Sequence, residues 1–357
     1  MPPIINMEPL KIYRISSIHV EKLMDESILL AHGSGGRLSH ELVEKKFLAF
    51  LANPVLNKLD DSAIFEASGR LAFTTDGYVV NPIFFPGGDI GKLAVCGTVN
   101  DLAMNGAKPL YLSLSVIIEE GLLLRELEQI VQSIKKAAEE AEVSIIAGDT
   151  KVVNRGQADR LFITTSGVGI ITPGVNISGA NARAGDKVLL SGTIGDHGMA
   201  IMSQREGLKF STTLRSDCAP LNKLVSQMLE VSSRIHCMRD PTRGGLATTL
   251  NELARQSQVG IVIEEDRIPV KEEVKAACEL LGLDPIYIAN EGKLVATVDA
   301  ADADRILARM RKNRYGRDAA VIGEVTSKHP GKVVMKTKLG PSRIVDMLTG
   351  ELLPRIC

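Results

Sequence analysis

Apolar positions recur along this chain in two alternating rhythms. Between residues 122 and 141, Leu127, Ile130, Ile134 and Ala137 fall three or four apart, which predicts a helix with one buried stripe. Short apolar runs at 71–75, 110–118, 143–147 and 161–170, bounded by Gly, Asp and Pro, have the length of strands. Asp89 ahead of Leu93, Val99 and Leu102 predicts the N-cap of a helix from 89 to about 107, and Pro109 stops its continuation. Pro173-Gly174 and the polar stretch 176–186 form a joint, placing a domain boundary near residue 175. Beyond it the same alternation predicts strands at 187–191, 261–264, 293–298, 319–325 and 332–337. Helices are expected near 196–206, 219–232, 244–257, 270–281 and 301–313. Past Gly340 the apolar periodicity fades. The chain therefore reads as an α/β (α+β) protein with an N-terminal extension (1–31), a first domain (32–175), a second (176–340) and a flexible tail (341–357).

Composition narrows the class. With 45% hydrophobic and 24% charged residues over 357 positions, the chain can bury two cores. Its 42 Lys and Arg nearly balance 43 Asp and Glu, and it has no Trp, so neither a phosphate-tracking field nor base-stacking platforms point to nucleic acid. Residues 1–31 hold no continuous apolar core, so neither a signal peptide nor a membrane span is expected. The five cysteines lack CxxC spacing, which argues against a disulfide framework or a structural zinc site and fits a reducing cytoplasm. Four of them, Cys96, Cys218, Cys237 and Cys278, have apolar neighbours and are expected in the core. Cys357 ends the chain, where a thiol on a mobile tail can reach an active site.

Carboxylates gather where apolar segments give way to Gly and Thr: Asp60-Asp61, Asp76 in Thr74-Thr75-Asp76-Gly77, and Asp149 in Gly148-Asp149-Thr150. Asp101 follows Asn100 inside an otherwise apolar helix, and Asp240 opens Asp240-Pro241-Thr242-Arg243-Gly244-Gly245. Singly each is an ordinary turn or cap aspartate; together they have the hard oxygen chemistry that Mg²⁺ takes beside phosphates. Three glycine loops, 32–37, 86–91 and 192–198, precede expected helices, where free backbone N–H groups favour anions. None matches GxxxxGK[ST] or a strand-borne GxGxxG, so nucleotide binding would follow another scheme.

These motifs, in this order, resemble the ATP-binding superfamily of aminoimidazole ribonucleotide synthetase and selenophosphate synthetase. Within it, His32-Gly33-Ser34-Gly35-Gly36, Gly148-Asp149-Thr150-Lys151-Val152-Val153, Asp240 to Gly245, Asn290-Glu291-Gly292 and the terminal Pro354-Arg355-Ile356-Cys357 resemble the HypE family of hydrogenase maturation proteins. The resemblance implies a two-domain PurM-like fold, with an N-terminal sheet domain forming a dimer barrel, a C-terminal mixed-sheet domain and a mobile tail. It implies ATP-dependent dehydration of a carbamoyl group on Cys357 to a thiocyanate, supplying cyanide ligands to the iron of nickel–iron hydrogenases. The implied cofactors are ATP and Mg²⁺; the implied partners are a second copy, the carbamoyltransferase HypF and the HypC–HypD iron scaffold. The resemblance assigns Cys357, Glu291 and Lys151 to catalysis. It assigns Gly33, Gly35, Gly36, Asp61, Asp76, Asn100, Asp101, Gly148, Asp149 and Thr150 to the nucleotide, and Asp61, Asp76, Asp101 and Asp240 to the metal. No role follows for His197, His236 or residues 1–31.

Two alternatives are weighed against this. Selenophosphate synthetases carry a cysteine or selenocysteine and a lysine beside the first glycine loop, and residues 29–38 contain neither. A scaffold without catalysis needs neither the acidic set nor Lys151.

Overall fold

The computed structural model describes residues 27–34, 36–59, 62–205, 214–348, 353 and 355–357. The first domain is built on strands β1 (Leu71–Tyr78), β2 (Ala107–Glu119), β3 (Ser144–Val153) and β4 (Leu161–Ile171), in the sheet order β1-β4-β2-β3. β2 and β3 run parallel because helix α3 (Leu124–Ala141) makes the crossover between them; the other pairs are antiparallel. Helix α1 (Arg37–Leu42) precedes β1, and α2 (Ile90–Met104) follows it. The Asp89 carboxylate accepts from the backbone of Gly91 and Lys92, the N-cap that the sequence predicted. In α3, Leu127, Ile130, Ile134 and Ala137 are buried on one face, again as the spacing required. α2 is buried on nearly every side because it lies between α3, the first sheet and the second domain.

The second domain carries β5 (Lys187–Leu190), β6 (Ile235–Arg239), β7 (Gly260–Glu264), β8 (Val295–Val298), β9 (Ala320–Thr326), β10 (Val333–Lys336) and β11 (Ser342–Val345). Their sheet order is β11-β10-β7-β9-β5-β8-β6. Helices α4 (Asp196–Arg205), α5 (Asn222–Leu229), α6 (Gly245–Ser257), α7 (Glu272–Leu281) and α8 (Ala303–Met310) complete it. Polar contacts tie it to the first domain: Asn222 Nδ2 donates to Ala141 O at 2.8 Å, Lys223 pairs with Glu142 at 2.8 Å, and Arg314 and Tyr315 both reach Glu140.

Three local expectations change. β3 continues to Val153 instead of stopping at Ala147, because Gly148 lets it close on β2: a Cβ there would stand 2.8 Å from Leu114 O. β6 was missed, since His236 and Arg239 break its apolar pattern although His236 is buried. Residues 342–345, expected within a flexible tail, form edge strand β11 against β10; only Val345 is buried, leaving no alternation to read.

Candidate active site

The last residues do not stand free of the domain. Val79 N donates to Cys357 O at 3.2 Å and Asn81 N to Arg355 O at 3.1 Å, so residues 355–357 pair with the backbone just past β1. Ile356 and Leu353 are buried in the first core. Arg355 donates to Val79 O at 2.9 Å, pairs with Asp159 at 2.7 Å and lies over the Phe162 ring, while Arg205 also donates to Arg355 O. The expected mobile tail is thus a seated one at its end. Burial of Ile356 favours seating by about 2 kcal/mol. The left-handed backbone of Arg355, at φ 51°, opposes it by about 1 kcal/mol.

His197 holds the same segment from the other side. Its Nε2 lies 2.6 Å from Ile356 O, and a carbonyl only accepts, so Nε2 carries the proton. Burial pushes the His197 pKa down and keeps the ring neutral, leaving Nδ1 to accept from Ser216 Oγ at 2.8 Å. His236, by contrast, pairs with Asp186 at 2.8 Å within the second domain.

Cys357 meets Glu291 in this seat. Burial, and then the neighbouring Glu291 charge, push the thiol up to about 12, against a smaller opposing effect of Arg243. Glu291 is itself buried, and its carboxyl is held well above the usual range, first by burial and then by the surrounding Cys218, Asp240, Asp217 and Asp76. Its main chain is fixed: Glu291 N donates to Asp217 at 3.2 Å, and Asn290 donates to Pro241 O at 3.0 Å while accepting from Gly195 N at 2.8 Å. Asn290 thereby joins the glycine loop at 192–198 to the 240–245 motif. Gly245, at φ +59°, opens α6 where a Cβ would stand 2.6 Å from Ile286 O.

Asn100 is engaged within the protein. Its Oδ1 accepts from Leu221 N at 2.8 Å and its Nδ2 donates to Ala219 O at 3.1 Å and Glu291 O at 3.4 Å. Both N–H groups of this buried amide are thereby used within the protein, and it positions Glu291 from α2.

Asp101 and Asp240 line one cavity of about 300 Å³ together with Thr74 and Arg239. Thr74 donates to Asp101 at 2.9 Å. Burial, then the charge of Asp101, raises Asp240 to about 7, and burial also raises Asp101. Asp76 faces the same groups electrostatically, its Oδ1 accepting from Gly77 N at 2.8 Å. Among the described residues no group of three or more His, Cys, Asp or Glu is spaced to hold a metal unaided. Gly35, Asp60 and Asp61 lie outside the described residues.

A second cluster sits across the sheet. Asp149, Thr150 and Lys151, with Gly33, Gly148 and the apolar Val43, Phe47 and Leu51, line a cavity of about 440 Å³. Lys151 pairs with Asp149 at 2.7 Å, both exposed, and the lysine holds Asp149 below the usual carboxylate range. Gly36 is the N-cap of α1. In the ladder, Asp76 pairs with Thr165, Thr165 with Leu114 and Leu114 with Gly148. Three strand spacings therefore separate Asp76 from Gly148, about 14 Å along one row. Asp159, Arg205 and Ser216 of the seat carry no local sequence signal, because their roles rest on long-range contacts with the terminal segment and His197.

The AIR synthase related protein N-terminal domain matches residues 59–171, and the corresponding C-terminal domain matches 183–336. The carbamoyl dehydratase HypE of Cupriavidus necator is 56% identical over 92% of this chain and 94% of its own. The structure of HypE in complex with ATP superposes with a TM-score of 0.90 at 52% identity, covering 92% of this chain and 99% of that one. HypE from a HypE–HypF complex gives a TM-score of 0.77 at 50% identity over 86% and 99% of the two chains.

Proposed function

Because the chain belongs to the HypE family of carbamoyl dehydratases, which act in hydrogenase maturation, we propose that it dehydrates a carbamoyl group on its own Cys357 to a thiocyanate, driven by ATP. The observation that carries this is the seating of Cys357 beside a buried Glu291. An amide oxygen is a poor leaving group. Transfer of the γ-phosphoryl to it lets the oxygen depart as phosphate, and loss of both N–H protons leaves S–C≡N with ADP. Glu291, in its ionised form, accepts a nitrogen proton; burial that raises its proton affinity makes it a stronger base. Asn100 and Asp217 hold its backbone, and His197, Asn81 and Arg205 align the tail.

ATP binding is inferred from the HypE structure in complex with ATP. The cavity beneath Gly33, with its apolar wall, would take the base, and the polyphosphate would run along the strand row toward Asp76. Gly35 and Gly36 would cover it, Thr150 and Asp149 would border it, and Lys151 would exchange Asp149 for phosphate oxygens. Asp101 and Asp240, with Asp76 beside them, would hold Mg²⁺; the family resemblance adds Asp61 to that set. Two cavity-facing carboxylates short of compensating charge fit an ion usually bound by one or two carboxylates plus phosphates. The ion would neutralise phosphate charge there.

The homodimer reading is supported by β1, an open sheet edge that exposes Leu71 at 50% and Phe73 at 73%. HypF, in complex with a 50% identical relative, would supply the carbamoyl group, and HypC–HypD would receive the cyanide. Free cysteines among the described residues suit a cytoplasmic setting. No helix among the described residues is long and apolar enough to cross a membrane.

Glu291→Gln tests the mechanism. ATP binding by calorimetry should persist while thiocyanate formation stops; undiminished dehydration would remove Glu291 from the chemistry.

A further inference from the structure

Behind the tail seat, a cleft of about 410 Å³ opens between the two domains and takes no part in the chemistry above. Six cations border it: Lys92 from α2, and Arg215, Lys271, Lys293, Arg314 and Arg317 from the second domain. Three of these are neutralised within the protein. Lys271 pairs with Asp196 at 2.8 Å, Lys293 with Asp217 at 3.1 Å, and Arg314 with Glu140. The other three form no ion pair among the described residues, although the charge of Lys92 acts on Asp89. Lys92 donates only to a carbonyl, Gly87 O at 3.1 Å, and Arg215 and Arg317 make no ion pair among the described residues. Asp318 is the one further acid on the wall, so the cleft keeps an excess of positive charge.

Its shape also suits an anion. Two of the glycine loops singled out in the sequence, through Gly87 and through Gly192 and Thr193, form its walls and bring bare backbone to its surface. Asp89 and Asp196 already occupy the starts of the helices that follow, so an anion here would be held by side chains. A concavity that concentrates guanidinium and ammonium groups binds oxyanions through charge-assisted hydrogen bonds.

We propose that this interdomain cleft is a binding site for a small phosphate-bearing anion, held by Arg215, Arg317 and Lys92. The wall formed by 215–218 connects it to the tail seat. Ser216 Oγ meets His197, which holds Ile356, and Asp217 takes the backbone N–H of Glu291. An anion that engages Arg215 and competes for Lys293 therefore bears on the segment that positions both tail and base. The site itself is independent of the dehydratase reading.

The test titrates inorganic phosphate calorimetrically into the full chain at low salt, with a non-hydrolysable ATP analogue saturating the nucleotide site. One saturable phosphate per chain is expected. The double variant Arg215→Gln/Arg317→Gln should weaken it at least about tenfold while binding the analogue normally. Both arginines are exposed, so circular dichroism should show an unchanged fold. Absence of saturable binding, or equal binding by the double variant, overturns the proposal. Failure of the analogue to bind would instead count against the nucleotide site. Glycerol phosphate titrated in parallel identifies the source: tighter binding than inorganic phosphate indicates a phosphorylated metabolite, and equal or weaker binding indicates free phosphate.

Discussion

The carboxylates gathered near Asp76, at one edge of the first sheet, and the Asp149–Lys151 pair, at its other edge, have opposite electrostatic character. Glu291 and Asp240 are removed from water among other acids, and both hold their protons far above the ordinary carboxylate range. Asp149 stands in solvent against a lysine and holds its proton less tightly than usual. The first arrangement suits proton transfer and a metal that relieves crowded charge; the second suits exchange of one ion pair for another. A single strand row joins them, so one ligand can span both without either changing place.

The largest effect that would break this contrast concerns the thiol. A Cys357 held near 12 exposes about a thousandth of the thiolate of an ordinary cysteine at neutral pH, so alkylation of the seated tail should be slower by about that factor than alkylation of a free peptide. The seated state binds its proton more tightly than the released one. Seating is therefore strongest below about 9 and is lost as pH rises toward about 12. Labelling of Cys357 at the rate of a free peptide at pH 8 would contradict the seat.

Asp240 should show the next effect. Its folded value near 7 lies above the unfolded 3.8, so the native chain holds more protons between them. Stability without nucleotide should fall as pH rises through that window and level off above it, by about 1–3 kcal/mol after allowing for water in the cavity. Asp240→Asn should flatten the melting profile across that range; an unchanged slope would mean that Asp240 is not buried as described.

His197→Ala removes one bond from the seat and should raise Cys357 labelling by about tenfold, the worth of one hydrogen bond to a buried carbonyl. Equal labelling would mean that Arg355 and Ile356 suffice. The smallest effect belongs to Asp149→Asn. An exposed pair contributes under about 1 kcal/mol, so the melting temperature should hardly move while nucleotide affinity responds through Lys151. A large loss of stability would show the pair to be structural.

Much of this was readable locally. The Asp89 cap and the α3 stripe follow from residue type and spacing, whereas the motifs at 148–151, 240–245 and 290–292 take their roles from the family resemblance. What escaped depends on distant partners. Asn100 took a nucleotide role only from the family resemblance, while its amide reaches Ala219, Leu221 and Glu291 across the domain junction. The tail read as free because Ile356 and Arg355 find their contacts near residues 79–81, 159 and 197. The strand at 235–239 was hidden because His236, polar yet buried, and Arg239 interrupt its apolar run.

The central claim is that Cys357 carries the group that the buried Glu291 deprotonates. Intact mass spectrometry of the full chain, incubated with the carbamoyl-transferring partner, carbamoyl phosphate and ATP, tests it directly. A carbamoyl adduct on Cys357 is expected first, followed by ATP-dependent loss of water. A modification elsewhere, or an adduct that never loses water, would contradict it.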